Sequence, residues 1–475
     1  MRASFNRCSA DGRSFLKPRP FRFVPPRLPP PRTQFLSTDS ADTTALSGPT
    51  SASESAVAAE IEAHESRNIL VLAGYYIFVR VAWVFKTESV IMPLFMDHIA
   101  GAGWIRGFLP VLNRLGQSLP PLLIAERLKN TRRKKWTLLT APLMMSIPFL
   151  TMSVIWFSIE QKRQSWLPIV FLFLYFFFFC MNGINQLAYG TVQGKLIRAD
   201  RRGRLMSLSG IAGSILSVTC LWFFLQTWLE RADGGFGLIF GFAGAGFVVG
   251  GLFISLLNEP SDEPVPTRSA VFDHFRNAWQ IFRHDRNFRR AAVVAMCFSP
   301  AMLLFPHYQA LGRQGASIQT TAFDIMIWVI SQNIAVGVYS VVAGSLADRF
   351  GNRLVIRCQL FASALAPLLA LALMSGSSDG SQRWFWLTFC LIGIAPVTIR
   401  TFVNYTLELT EPANHPRYVS TFSVCLAIPF CTSPLVGYCV DLFGFTPVFV
   451  GASAIIAAGC LLTFKMSEPR FERFR

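Results

Sequence analysis

From residue 68 to the end of the chain, apolar runs of about twenty residues alternate with short polar loops. Twenty helical residues rise about 30 Å, which matches the hydrocarbon core of a bilayer. Only helices and closed barrels cross that core, because their backbone polar groups are bonded within the protein. The runs predict an all-α integral membrane protein with spans at about 69–96, 103–125, 136–156, 166–190, 206–229, 236–257, 291–312, 320–346, 354–375, 384–407, 418–438 and 445–466.

Composition and charge agree with this reading. Hydrophobic residues make up 52% of the chain and charged residues only 15%, against roughly 25% charged in average globular proteins. The formal net charge is +17, but the basic residues lie mostly between apolar runs. Cytoplasmic loops are enriched in Lys and Arg, so this excess does not require a nucleic-acid partner, and none is expected.

The basic loops set the orientation of the chain. Lys and Arg are dense in alternate connections, at 126–135, 194–204, 258–290 and 348–353. The opposite connections have almost none, at 97–103, 229–235 and 375–382. The positive-inside rule therefore predicts that both termini are cytoplasmic, in the cell (plasma or inner) membrane.

Residues 1–67 are basic and Pro-rich, then Ser- and Ala-rich. Such a segment buries too little apolar area to offset its ordering entropy, so a disordered cytoplasmic tail is predicted. Two alternatives remain. The Arg-rich, acid-poor beginning is typical of an organelle transit peptide, which would place the protein in an organelle membrane, and the start codon could have been assigned too early.

The twelve runs divide into two sets of six around a polar segment. The predicted domains are a six-helix half at 68–257, a linker at 258–290, a second half at 291–467 and a cytoplasmic tail at 468–475. Within the linker, Val271, Phe275, Trp279 and Phe282 fall on one helical face. That pattern predicts an amphipathic helix on the membrane surface.

The two halves repeat a connector. AERLKN at 125–130 and ADRFGN at 347–352 each join the second and third spans of their half. Arg204 and Ser207 open the fifth span with the same spacing as Arg417 and Ser420 at the eleventh. The chain is therefore predicted to contain two pseudo-symmetric copies of one six-helix unit.

The sequence GSLADRFGNR at 344–353 resembles the Gly-x-Leu-Ala-Asp-Arg-x-Gly-x-Arg signature of the major facilitator superfamily. The resemblance extends over residues 68 to about 467. It implies twelve transmembrane helices in two halves and secondary solute transport by alternating access. It does not imply enzymatic activity.

The signature residues are candidates for gating. Gly344 would let two helices approach closely, and Asp348 would act either as a latch that forms in one conformation or as part of a fixed turn. In the first copy Leu122 and Lys129 replace the two glycines. The remaining gating candidates are Arg349, Arg353, Glu126 and Arg127.

In this fold the solute site lies near the bilayer midplane between the halves. Polar residues within spans are costly and usually face the protein interior. The candidate binding residues are Arg80, Asn113, Arg114, Gln117, Asn182, Asn185, Gln332, Asn333, Arg400 and Asn404.

The charges in these spans favour an anionic solute. Arg80, Arg114 and Arg400 lie deep, whereas Glu88 is the only comparably deep acid, and a guanidinium offers a planar fork to carboxylate or phosphate. In the alternative, Glu88 pairs with an arginine and the others bond backbone carbonyls or reach the interface. Glu88 and His307 are candidates for carrying a coupling proton.

Other functional classes lack support. GTVQGKL at 190–196 has the wrong spacing for a phosphate-binding loop, so no ATP site is predicted, and no catalytic or metal-binding motif, and hence no cofactor, is indicated. We expect a monomer that contacts lipid and a small solute. Two rivals stay open: an exporter of amphipathic compounds, favoured by an apolar cavity, and a non-transporting receptor or scaffold with the same fold.

Overall fold

The computed structural model describes residues 49–129, 131–261, 271–314, 319–375, 379–411 and 414–469, some of them by backbone alone. The regular elements in these residues are helices. The contacts reported below lie within the compact unit formed by residues 54–475.

In the described residues of the first half, several of the predicted spans are interrupted. Its helices are α1 (Pro49–Phe85), α2 (Ile91–Ile99), α3 (Gly103–Arg106), α4 (Phe108–Lys129), α5 (Lys135–Ser158), α6 (Leu167–Leu196), α7 (Ala199–Cys220), α8 (Gln226–Leu229) and α9 (Phe236–Phe253). A π-helical turn at Leu221–Leu225 joins α7 to α8. The first span is thus broken between α1 and α2.

The second half repeats this order after a surface helix, α10 (Val271–His284). Its helices are α11 (Arg286–Phe298), α12 (Pro300–Leu303), α13 (Phe305–Gln314), α14 (Ala322–Phe350), α15 (Asn352–Ser375), α16 (Asp379–Gln382), α17 (Trp386–Ile392), α18 (Ile394–Glu408), α19 (His415–Phe430), α20 (Ser433–Phe443) and α21 (Phe445–Leu462). Each predicted span corresponds to one of these helices or to an interrupted group of them.

Eleven helical segments in the described residues are long and apolar enough to cross a membrane. The protein is therefore an integral membrane protein. The predicted span at 103–125 is not among the eleven. It corresponds to α3 and α4, and polar side chains such as Asn113, Arg114 and Gln117 make α4 less apolar. Its 22 residues would still rise about 33 Å.

Aromatic side chains fill the interior of the first half. Phe95 is fully buried, and its ring centroid lies 4.9 Å from those of Phe171 and Phe240 and 5.3 Å from that of Trp156. Edge-to-face aromatic pairs of this kind contribute about 0.5–1.5 kcal/mol beyond their buried area. Lipid is as apolar as the helices, so such packing is a main source of their association.

The first helix begins earlier than predicted. It starts at Pro49, so residues 49–67 are helical and the predicted boundary at residue 67 lies inside α1. The reason is local composition, because SESAVAAEIEAHES at 53–66 is rich in Ala and Glu, which favour helix. Residues 1–48 lie outside the described residues, and the transit-peptide question remains a prediction for them.

The predicted linker helix is present as α10 and packs against α19. Its buried residues include Ala278 and Ile281, whereas Trp279 is 64% exposed. The predicted apolar face is thus only partly used for packing. The side chains of Val271 and Phe275 lie outside the described residues.

Candidate functional site

The two halves meet where α3 packs against α20. Asp441 of α20 accepts hydrogen bonds from the backbone N–H groups of Gly103, at 2.8 Å, and Trp104, at 2.9 Å. A Cβ built on Gly437 would overlap the carbonyl oxygen of Gly103, so only glycine permits this approach. We call this end of the bundle, with the loops at 100–102 and 230–235, the closed end.

A buried polar cluster lies nearby. Arg106 is 2% exposed and pairs with Asp97 of the same half. His307 of the second half is fully buried, neither of its ring nitrogens has a hydrogen-bond partner among the described residues, and it lies within electrostatic range of Arg106. The structure thus places His307 at the contact between the halves, and its coupling role remains a prediction.

The break in the first span places polar side chains in the interior of the protein. Glu88 lies in the non-helical link between α1 and α2, and not on a continuous helix with Arg80 as the span bounds predicted. The Lys86 ammonium lies 2.6 Å from the Glu88 carboxylate and 3.2 Å from the centre of the Trp83 ring. Lys86 was absent from the predicted site, although a lysine inside an apolar run, two residues before an acid, is a readable signal.

A chain of hydrogen bonds leads away from Glu88 along one face of α4. The second carboxylate oxygen of Glu88 accepts from the Asn113 amide, and the Asn113 carbonyl accepts from Gln117. Gln186 of α6 donates to Gln117 at 3.5 Å. The four-residue spacing of Asn113 and Gln117 puts both on the same helical face.

Two contacts extend this network to the second half. Ser89 donates to the Gln332 side chain of α14. The Arg114 guanidinium donates to the backbone carbonyl of Ser423 at 3.2 Å and lies 5.9 Å from the Phe430 ring centre. We call Glu88, Asn113, Gln117, Ser89 and Gln332 the polar floor, because they join both halves beside the closed end.

Three other predicted residues of the first half make no hydrogen bond to this floor within the described part of the chain. Asn185 accepts from the Tyr75 hydroxyl at 2.7 Å. Asn182 is 3% exposed, and its amide nitrogen has no partner among the described residues. Arg80 packs beside Gly213 of α7.

The predicted binding residues of the second half are more scattered than those of the first half. Asn333 donates to the Val329 carbonyl of its own helix at 2.8 Å. Arg400 and Asn404 are exposed on α18, four residues apart. In the part of the chain that the structure describes, neither has a hydrogen bond or ion pair to the first half.

The gating candidates lie at the opposite, basic end. Asp348 and Arg349 are exposed at the end of α14, and Asp348 makes no ion pair with the described residues. A Cβ at Gly344 would meet nothing within 4 Å, so the close helix approach expected there does not occur in this conformation. The side chains of Glu126 and Arg127 lie outside the described residues.

Arg353 is held in place at the basic end. Its backbone N–H donates to Glu468 at 2.9 Å, and its guanidinium donates to the Met466 carbonyl at 2.9 Å. Gly351 has φ of 83°, and a Cβ there would overlap the Glu468 carboxylate. This part of the signature therefore forms a fixed turn.

No three His, Cys, Asp or Glu side chains of the described residues lie close enough together to share a metal ion. The polar floor has amide, carboxylate and hydroxyl groups that can hydrogen-bond a solute.

The comparisons with known proteins concern both sequence and fold. No curated protein sequence matches the chain. The family model of the Major Facilitator Superfamily matches residues 315–475.

Solved transporter structures share the fold over most of the chain. The nucleoside transporter NupG is 13% identical with a TM-score of 0.65, covering 84% of this chain and 99% of its own. A POT family transporter in complex with 5-aminolevulinic acid is also 13% identical, with a TM-score of 0.64 and coverage of 84% and 95%. The E. coli fucose:proton symporter FucP is 15% identical, with a TM-score of 0.54 and coverage of 84% and 98%.

The sequence match lies in the second half, and the fold match extends over both halves. The signature at 344–353 lies within the matched residues, between α14 and α15. The chain is therefore similar to the Major Facilitator Superfamily in sequence over residues 315–475, and to solved transporters in fold over both halves.

Proposed function

We propose that this protein is a secondary transporter that moves a small anionic solute across the membrane by alternating access. The family and the fold support the transporter class, and the structural neighbours include nucleoside, POT family and fucose transporters. Their substrates differ, so the solute class must be argued from the side chains of this chain.

The charge balance of the interior carries the proposal. Glu88 is the deep acid of the first half, and Lys86 pairs with it at 2.6 Å. Arg114 and Arg400 have no acidic partner among the described side chains, and Arg114 instead bonds a backbone carbonyl. These guanidinium groups, together with that of Arg80, are candidates to bind a ligand, and their planar donors suit carboxylate or phosphate.

The two ends of the bundle differ in the hydrogen bonds that join the halves, and this difference supports alternating access. The hydrogen bonds between the halves in the described residues lie at the closed end, at the polar floor, or between Arg114 and Ser423 next to that floor. At the basic end, contacts such as Glu65 with Arg198 and Asn352 with Glu408 stay within one half. Asp441 accepts hydrogen bonds from α3, whereas Asp348 makes no ion pair with the described residues. In the second conformation Asp441 would lose its contacts and Asp348 would gain an ion pair. The two carboxylates would therefore stabilise opposite conformations.

The orientation of this conformation follows from the charged loops. The positive-inside rule places the basic end and both termini on the cytoplasmic side. The closed end then faces away from the cytoplasm, and the polar floor is reached from inside.

A binding screen tests the solute class. A ligand that binds the folded state raises the unfolding temperature, by an amount that grows with the ratio of its concentration to Kd. We expect organic carboxylates or phosphates to stabilise the purified protein, and their neutral amides or esters to have much weaker effects. Uptake of the best ligand into proteoliposomes should follow. Equal stabilisation by an anion and its neutral analogue would contradict the anionic solute, and binding without uptake would favour a receptor.

A further inference from the structure

We propose that Lys86 determines the charge selectivity of the polar floor, by acting as a permanent internal counter-ion that cancels Glu88 and excludes cationic solutes. This inference rests on the proposed function and deepens it. It assigns a role to a residue that touches no solute itself.

The surroundings of Lys86 resemble a binding site for a cation. Its ammonium nitrogen lies 3.2 Å from the ring centre of Trp83, 4.4 Å from that of Phe179 and 5.0 Å from that of Phe178. Aromatic faces attract ammonium groups through their quadrupoles, most strongly when water is excluded. In this protein the cation in the aromatic cage is the protein's own lysine.

The position of Lys86 makes the pairing permanent. Its side chain is 0% exposed, whereas that of Glu88 is 22% exposed. A solute on the polar floor can therefore contact Glu88 but cannot reach the ammonium behind it. Breaking a buried pair leaves an uncompensated charge, so a solute cation has little chance of displacing Lys86.

Glu88 would behave differently without this partner. One of its oxygens faces Lys86 and the other accepts from Asn113. Removal of the ammonium would leave a partly exposed carboxylate beside the carbonyl and amide groups of Asn113 and Gln117. Such a group recognises amines, because it attracts positive charge and accepts hydrogen bonds.

A purely structural ion pair makes a different prediction. Its loss would weaken the fold and reduce all binding equally, whereas a selectivity role would change the ratio between anions and cations of the same shape. The ratio therefore separates the two roles.

The experiment uses the full-length purified protein and pairs of ligands matched in shape, such as benzoate with benzylammonium and other carboxylate–amine pairs. Apparent affinities are taken from concentration-dependent unfolding temperatures of the parent, Lys86→Met, Glu88→Gln and the double variant. We expect the cation-to-anion affinity ratio to rise at least tenfold in K86M. It should fall in E88Q, where the ammonium is left uncancelled, and return toward the parent value in the double variant.

An unchanged ratio in K86M would overturn the inference. If K86M does not fold, the E88Q variant provides the test. An unchanged cation-to-anion affinity ratio in E88Q would also show that Lys86 does not cancel the charge of Glu88. The two proposals can fail separately. If the parent protein shows no preference for anions but K86M gains cation binding, the anionic solute is contradicted and the role of Lys86 is still supported. No gain of cation binding in K86M, whatever the parent prefers, would reject that role.

Discussion

Glu259 accepts a hydrogen bond from the backbone N–H of Lys135 at 2.6 Å, where the third span begins. Glu468 does the same for Arg353 at 2.9 Å, where the ninth span begins. In both halves the basic side chain also bonds the carbonyl two residues before the glutamate, Leu257 in one and Met466 in the other, at 2.9 Å. The repeat seen in the connectors therefore extends to the residues that fix the helix after each connector.

Each of these two glutamates should stabilise its own half. Each accepts from a helix N-terminus, and loss of such a cap costs about 1–2 kcal/mol. Glu259 also pairs with Lys195 at 2.9 Å, so Glu259→Ala removes an ion pair together with the cap, and both Glu259→Ala and Glu468→Ala should lower the unfolding temperature. Thermal unfolding of the purified variants measures this, with exposed Glu160→Ala as the control. Equal stability of Glu259→Ala and the control would contradict the capping role.

Arg114 and Arg400 should be required for transport. A guanidinium that pairs with a buried anion contributes enough that its loss reduces affinity on the order of 100-fold. Arg114→Gln and Arg400→Gln should therefore abolish uptake at moderate solute concentrations, with expression and unfolding temperature close to those of the parent. Exposed Arg133→Gln is the matched control. Normal uptake by either variant would remove that arginine from the anion site.

The contact between Asp441 and α3 should stabilise the closed end. Hydrogen bonds to a charged group contribute about 1.5–3 kcal/mol, so Asp441→Asn should shift the equilibrium between conformations by about tenfold or more. The distance between spin labels at Glu230 and Arg383, in a background without other cysteines, reports opening of this end. Gly437→Leu should open it further, because the side chain would displace Gly103. An unaltered distance distribution in both variants would show that the contact between Asp441 and α3 does not stabilise the closed end.

Asp348→Asn should have the opposite effect. Asp348 is exposed and makes no ion pair with the described residues in this conformation. Its substitution should therefore have little effect on the stability of this conformation. If it latches the basic end in the other conformation, its loss should increase the population with the closed end shut. The same spin-label pair should then show a narrower, shorter distance distribution. A distance distribution identical to that of the parent would reject the latch and indicate a fixed turn.

The sequence predicted the spans well because a twenty-residue apolar run has few folding solutions in a bilayer. It did not predict the break between Phe85 and Ile91, since KTES at 86–89 contains no strong helix breaker. Nor could it place Asp441, whose partners are backbone N–H groups without any sequence signature. Acids near span ends occur in many membrane proteins, and only the folded contact shows which one joins two halves.

The candidate site was predicted in part for a similar reason. Polar residues inside spans are conspicuous, and Asn113, Gln117, Arg114 and Gln332 do lie at or beside the polar floor. Asn333 instead bonds its own helix, because an amide in a span can satisfy itself with a carbonyl four residues earlier. Gly344 lies open, because a Cβ there would meet nothing within 4 Å, and the signature alone does not show which helix faces this glycine.

The packing of α1 against the residues at 198–201 should depend on Glu65 and not on residues 1–48. Glu65 is fully buried and accepts from the Arg198 backbone N–H at 2.9 Å and from Arg201 at 3.0 Å. Glu65→Ala should cost about 1–2 kcal/mol of stability, whereas Glu62→Ala, whose side chain is 66% exposed, should cost almost none. Deletion of residues 1–48 should leave both insertion and unfolding temperature unchanged, because these contacts remain. Loss of membrane insertion on that deletion would show instead that the segment directs the protein to its membrane.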